Sequence, residues 1–336
     1  MKGKRIVMPS AYNVTLEDFD IDESLADDQI LMKTHYSLIS PGTECAGYTA
    51  LQSGTKFPHG SGYTAVGEVL KVGQKVKKCV PGDIVFCYTS HESITKTNTI
   101  FLAFKRPLDF DEKLIPFIRM ATVAMTSLRV SSAELGDTVV VIGLGLVGNF
   151  ASQIFGAAGI RVIGIERATK RLEIASKCGI KYLVNSEKEN PREKVMELTG
   201  GKGADVTVEA IGNPKLIDLA FQLTKSKGEV ILLGSPRGEY ITDVTSVLDY
   251  VHNIGKGAIT LKSAHEWVYP TMHSGESKHS IERNTQIVYN LFKDGKLKAK
   301  ELLTHVINSA DAKSAYDGLV DKKDDYLGVI IDWSLV

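Results

Sequence analysis

The stretch Thr138–Gly148 constrains this chain more than any other. Thr138-Val139-Val140-Val141-Ile142 reads as a short buried strand. Gly143-Leu144-Gly145-Leu146-Val147-Gly148 follows at once, and then apolar residues at helical spacing run to Ala158. A glycine-x-glycine-x-x-glycine string alone is weak. Here it has a strand before it, a helix after it, and an acid, Glu166, at the end of the next strand, which together predict a dinucleotide-binding βαβ unit. Gly143 permits the tight turn, Gly145 lets backbone approach a pyrophosphate, and Gly148 lets helix and strand pack closely. The helix start at Leu146 and Val147 offers free N–H groups and a positive dipole end to phosphate. Glu166 is placed to accept hydrogen bonds from the adenosine ribose, which favours NAD, because a carboxylate repels a 2′-phosphate. Arg167 and Arg171 lie beside it and leave NADP possible, since either could pair with a phosphate or Arg171 could cover the adenine.

Strand and helix patterns alternate from about residue 120 to 264, the mark of a doubly wound parallel sheet. The strands expected after the glycine loop are Arg161–Ile165, Tyr182–Val184, Val206–Glu209, Glu229–Leu233 and Ile259–Lys262. The first third is β-rich, with Gly62–Val72 and Asp83–Tyr88 separated by the turn Val80-Pro81-Gly82-Asp83. The tail reads as helices at Ile281–Phe292 and Ala310–Val320 and strands at Leu303–Val306 and Gly328–Asp332. With 336 residues, 40 Lys+Arg and 40 Asp+Glu, the chain has no broad electrostatic reason to seek nucleic acid or an anionic membrane. Its first ten residues lack the apolar core of a signal peptide, and no apolar run is long enough for a membrane span. The expected location is the cytoplasm. Cys45, Cys79, Cys87 and Cys178 form no C-x-x-C pair and read as reduced packing residues.

The glycine loop resembles that of the medium-chain dehydrogenase/reductase superfamily. So do Gly203–Gly212, Gly228–Gly234, Gly62–Val69 with Pro81-Gly82-Asp83, and Leu303-Thr304-His305-Val306, so that the likeness spans nearly the whole chain. The resemblance implies an α/β protein: a GroES-like β-rich catalytic domain built from residues 1–121 and 265–336 around an inserted Rossmann domain, 122–264. It also implies an active-site cleft between the two, a nicotinamide lined by backbone near Ile211, Gly212, Leu233, Gly234 and Ser235, and a homo-oligomer for which pairing of edge strands around Leu261 is one route.

The departures from the family bear on the chemistry. Its zinc enzymes carry Cys-Gly-Thr-Asp, then Gly-His-Glu, then a later Cys or Glu. Here the matching stretches read Pro41-Gly42-Thr43-Glu44, Gly62-Tyr63-Thr64 and Ile118-Arg119-Met120-Ala121-Thr122, so no catalytic zinc is expected. The combination Ser40–Glu44 with Gly62-Tyr63 resembles a zinc-lacking branch near bacteriochlorophyllide dehydrogenase and the bi-domain oxidoreductases. Without a metal, an acid/base must move the substrate proton. The candidates are Thr43, which matches the family's relay hydroxyl; Glu44, which matches the carboxylate that orients a metal-binding histidine and could tune Tyr63 or act as base; Tyr63, at a lost ligand position; and His91, whose ordinary pKa suits proton transfer. The expected activity is zinc-independent, NAD(H)-dependent hydride transfer at a secondary alcohol or ketone of a polyol, cyclitol or sugar-like small molecule. An NAD(P)H-dependent enone or quinone reductase is the alternative.

Overall fold

The computed structural model describes residues 1–105, 110–273 and 275–334, with backbone alone for 102–104. In chain order the elements are β1 (Lys2–Ser10), β2 (Asn13–Asp20), β3 (Gln29–Ile39), α1 (Thr43–Tyr48), β4 (His59–Gly60), β5 (Ala65–Val72), β6 (Ile84–Cys87), β7 (Ile94–Asn98) and β8 (Leu102–Lys105). After α2 (Phe117–Val130) come β9 (Thr138–Ile142), α3 (Leu146–Ala157), β10 (Arg161–Glu166), α4 (Thr169–Lys177), β11 (Tyr182–Asn185), α5 (Pro191–Leu198), β12 (Ala204–Glu209), α6 (Ile217–Leu223), β13 (Thr224–Leu232), α7 (Val244–His252) and β14 (Thr260–Ser263). The chain ends with α8 (Ile281–Lys293), β15 (Leu303–Asn308), α9 (Ala312–Asp321) and β16 (Gly328–Asp332).

Two compact units emerge. The first is Met1–Arg119 with Pro270–Lys293 and Leu302–Val336; the second is Met120–Tyr269 with Asp294–Glu301. In the first, β16 returns from the far end of the sequence and pairs antiparallel with β3, Val329 opposite Ile39, in a sheet ordered β15-β16-β3-β5-β6-β8. Both ends of the chain therefore share one core, in which Ile6, Met8, Tyr48, Tyr316, Ile331 and Trp333 are sealed from solvent. Burying aromatic side chains of this size is the main favourable term such a core has.

The second unit is a six-stranded parallel sheet in the order β11-β10-β9-β12-β13-β14. Its apolar strands are covered on both faces, as parallel sheets require. β9 matches the expected Thr138–Ile142 run, and the remaining strands and helices lie within a few residues of their expected places. Two features differ. Helix α7 was not expected, because four of its nine residues are β-branched, although Val244, Val247, Leu248 and Val251 fall at helical spacing; the Asp243 side chain caps it by accepting from Thr245 N. Residues 294–301 pack with the second unit rather than the first. Gln153 on α3 holds Lys298 at both backbone groups, accepting from its N–H at 2.7 Å and donating to its carbonyl at 3.4 Å, while Lys298 Nζ reaches Lys177 O at 2.9 Å.

The four cysteines are buried and free, and burial pushes the thiols of Cys87 and Cys178 up to about 12, so neither is a ready nucleophile. Among the described residues no helix is long and apolar enough to cross a membrane.

Candidate active site

In the second unit, three loops gather at the C-terminal ends of β9, β12 and β13. The sheet order reverses at β9, and such a switch point leaves a crevice suited to a nucleotide. Gly143 sits at φ +91°, and a Cβ there would stand 2.3 Å from Ile211 Cγ1; one on Gly148 would stand 1.9 Å from Gly143 O. Both positions are closed by packing. Gly145 is not: a Cβ there would meet only Arg171 Nη1, 3.8 Å away. It begins α3 with no side-chain cap, so N–H groups of the first turn, at Leu146 and Val147, remain for an anion. Beside this cradle, Leu233 N and Gly234 N both donate to Glu209 O, while Ile211 N and Gly212 N donate to the Glu209 carboxylate. The loop glycines Gly212 and Gly234 touch, the second lying where a Cβ would be 2.2 Å from Gly212 N, and Ser235 follows exposed. The geometry fits a dinucleotide: an open phosphate-sized approach over Gly145, walled by the loops at 211–212 and 233–235.

Glu166 behaves differently from the sequence expectation. Its carboxylate accepts from Leu144 N at 3.1 Å, Arg167 N at 2.8 Å and Ala168 N at 3.2 Å, with Arg171 Nη1 at 3.8 Å. A ribose hydroxyl would have to compete with Arg171 for it. Glu166 therefore ties the glycine loop to the start of α4, and Arg171 lies between it and Gly145. Arg167 is exposed.

In the first unit, Glu44 on α1 is 6% exposed and collects four donors: Ser40 N at 2.7 Å, Ser61 Oγ at 2.6 Å, Tyr316 OH at 2.6 Å and His91 Nε2 at 2.9 Å. Trp333 Nε1 donates to Ser37 Oγ, which faces His91 Nδ1, both at 2.8 Å. Ser37 thus joins the indole to the imidazole, and His91 Nε2–H donates to Glu44. His91 has no exposed surface and both ring nitrogens are engaged, so the expectation of an acid/base at His91 is corrected. Nor does Glu44 stand free as a base. Burial alone would raise its carboxyl, but the pull of His91 and the hydrogen bonds from His91, Ser40 and Ser61 hold it below its ordinary 4.5.

Tyr63 is the remaining candidate. Its hydroxyl donates to Ser40 Oγ at 2.5 Å and also engages the Thr43 hydroxyl. Thr43 is exposed, and with Tyr63, Gln52, Lys56 and His59 it lines a cavity of about 300 Å³ wholly within the first unit. Ser40 joins Glu44 to Tyr63 by hydrogen bonds, and the Glu44 charge also acts on the phenol. Sequence reasoning missed Arg119. Its guanidinium is 4% exposed and lies over the Tyr63 ring at 5.3 Å and the Tyr88 ring at 4.1 Å. The available signal was a lone charge in the apolar run Leu114–Leu128. The positions that hold zinc in the resembled family do not fit the ion here: proline offers no donor, burial keeps the phenol protonated, and a guanidinium repels a cation. Among the described residues no three His, Cys, Asp or Glu side chains gather to hold a metal.

Two outcomes follow. Gly145→Ala keeps the melting temperature but weakens NADH binding, on the order of tenfold by fluorescence titration, whereas Gly148→Ala destabilises the fold by about 1–3 kcal/mol through overpacking; equal melting losses in both would contradict the open space over Gly145. Because Glu44 is held below 4.5 in the fold, its contribution to stability is complete above that pH and falls away as pH drops through its folded value. Urea titrations from pH 7 to 3 should show Glu44→Gln less stable at pH 7 and with a shallower acid loss than the parent chain.

Comparison with known proteins agrees with this geometry. A family model described as zinc-binding dehydrogenase matches residues 147–267. L-threonine 3-dehydrogenase of Bacillus velezensis is 26% identical over 279 residues, 73% of this chain and 80% of that one. D-guloside 3-dehydrogenase of Escherichia coli is 25% identical over 268 residues, 78% and 73% respectively. The crystal structure of an Escherichia coli oxidoreductase/dehydrogenase of unknown specificity shares the fold with a TM-score of 0.83 over 99% of both chains, at 18% identity. Together with the glycine loop and the parallel sheet, these matches place the chain in the medium-chain dehydrogenase/reductase superfamily, as an oxidoreductase.

Proposed function

We propose that this oxidoreductase is a zinc-independent, NAD(H)-dependent dehydrogenase acting on a secondary alcohol or ketone of a polyol, cyclitol or sugar-like molecule. The observation that carries the reading is the cluster of three hydroxyls, Ser40, Thr43 and Tyr63, gathered where the resembled family keeps its metal ligands, with Thr43 and Tyr63 lining the cavity. A polyhydroxylated substrate suits a cavity lined by Gln52, Thr43, Lys56 and His59. The relatives named D-guloside 3-dehydrogenase and L-threonine 3-dehydrogenase support an alcohol substrate.

The bound nicotinamide supplies or takes up a hydride. The chain's own task is the proton. Burial keeps the Tyr63 phenol above its ordinary pKa, against the opposing pull of Arg119, so it bears its proton at neutral pH. In ketone reduction the Tyr63 O–H bond breaks, the proton passes to the substrate oxygen, Ser40 and Thr43 stabilise the phenolate by hydrogen bonds, and a proton from solvent returns to it through the exposed Thr43 hydroxyl. Oxidation runs the same path backwards.

The test is turnover of chelator-treated enzyme on a panel of polyols, cyclitols and sugars with NAD⁺ and, in parallel, NADP⁺. NADH formation should survive chelation, exceed the NADP⁺ rate, and fall on the order of 100-fold in Tyr63→Phe. Activity that vanishes on chelation and returns with zinc overturns the proposal, and turnover confined to enones with NADPH replaces it with the reductase.

The same reading includes a homo-oligomer. β14 is the outer strand of its sheet, and Ile241, Val244, Leu248, Ile254 and Leu261 stand exposed on or near it. Leu261→Glu should lower the light-scattering mass to that of a single chain at micromolar concentration; an unchanged mass would remove this edge as the contact.

A further inference from the structure

The first unit buries a cation beside its candidate proton donor. Arg119 lies on α2, 4% exposed, with its guanidinium against the faces of both Tyr63 and Tyr88, and Nη1 donates weakly to Tyr88 OH at 3.4 Å. Tyr88 is itself fixed, with its ring edge-on to Phe86 and its hydroxyl near Thr285 Oγ1. Taking a guanidinium out of water is expensive, and ring faces repay only part of that. A fixed buried cation is worth most next to a place where negative charge develops, because nothing has to reorganise when the charge appears.

Resting on the reading of Tyr63 as the proton carrier, we propose that Arg119 is the positioning residue that replaces the family's metal charge: it clamps the Tyr63 ring and stabilises the negative charge left on the Tyr63 oxygen when its proton moves to substrate. The step balances without another reactant. The Tyr63 O–H bond breaks, the proton goes to the substrate oxygen, and the electron pair stays on the Tyr63 oxygen beside the guanidinium. Zinc in a metal-dependent relative stabilises charge on the substrate oxygen directly; here the cation sits one atom chain away, behind the phenol. The other groups facing Tyr63 are the hydroxyls of Ser40 and Thr43, which favour the phenolate, and the Glu44 carboxylate, which opposes it. Lys56 and His59 share the cavity wall. Of the two charges that act on Tyr63, the Arg119 cation has the larger influence and the Glu44 carboxylate the smaller.

Phenolate absorbance measures this without cofactor or substrate. The Tyr63 titration is isolated as the difference between a parent chain and its Tyr63→Phe counterpart, in the Arg119, Arg119→Met and Arg119→Lys backgrounds. Arg119→Met should move the Tyr63 midpoint upward by one unit or more, and the limb of the kcat/KM profile that rises with pH in alcohol oxidation should move with it, lowering the rate about tenfold at a fixed pH below the midpoint. Arg119→Lys, whose shorter reach and lost planarity weaken the clamp but keep a charge, should move it by less than half as much. A midpoint unchanged in both variants, or moved equally in both, overturns the role of the charge; should Arg119→Met fail to fold, an unmoved midpoint in Arg119→Lys does the same. Full turnover in Tyr63→Phe alone would instead overturn the proton-carrier reading on which this one rests.

Discussion

A single carboxylate organises the first unit. Glu44 is buried and ionised, and four donors from four separate parts of the sequence converge on it: Ser40 at the end of β3, Ser61 after β4, His91 before β7 and Tyr316 on α9. An ionised carboxylate out of water is tolerated only when nearly every lone pair is met, so each donor is held in place by the cost of losing it. The network extends through His91 and Ser37 to the indole of Trp333, almost at the end of the chain. Both ends of the sequence are thus drawn to the stretch that carries Thr43 and Tyr63. The position of the Tyr63 hydroxyl is inherited from this hub, because Ser40, whose N–H binds Glu44, is also the residue whose hydroxyl receives it.

The nucleotide cradle obeys the same logic with backbone in place of side chains. Glu166 and Glu209 each collect N–H groups from the turn that follows their own strand, and Glu166 reaches across to Leu144 in the glycine loop as well. These acids fix the loops at the ends of β9, β10 and β12 before any ligand arrives. Preorganised loops lose less freedom on binding, which is where much affinity in rigid sites originates.

What could be read from sequence tracks how local its cause is. The run Thr138–Ile142 and the glycine loop were legible because periodicity and spacing within a dozen residues decide them. Helix α7 was not, since its four β-branched residues argue against a helix and mask the helical spacing of Val244, Val247, Leu248 and Val251. His91 was misread for a sharper reason. Whether a histidine is a base depends on whether both nitrogens are taken, and its partners Ser37, Glu44 and, behind Ser37, Trp333 lie up to hundreds of positions away. Arg119 was counted only as a missing ligand, because its meaning lies in Tyr63 and Tyr88, two rings from other strands and loops.

Zinc ligands are not lost one at a time without consequence. A carboxylate at Glu44 without a metal-bound histidine to hold would be a buried charge with no partner, a state that costs several kcal/mol. In this chain the deficit is met by Ser61, Tyr316 and His91, three donors that turn the same carboxylate into structure. In the chemistry proposed above, the metal's charge is replaced at a different point, by a guanidinium that needs no coordination geometry and lies over a phenol ring. The two substitutions meet at Tyr63: an ionised Glu44 alone would disfavour a phenolate there, and the cation of Arg119 over the ring offsets that bias. A neutral residue at Glu44 would weaken the hub but ease the phenol, whereas a neutral residue at Arg119 would leave the hub intact and the phenol facing uncompensated negative charge. The placement of one buried anion therefore makes a buried cation at Arg119 physically useful, even though the two residues lie 75 positions apart in the sequence.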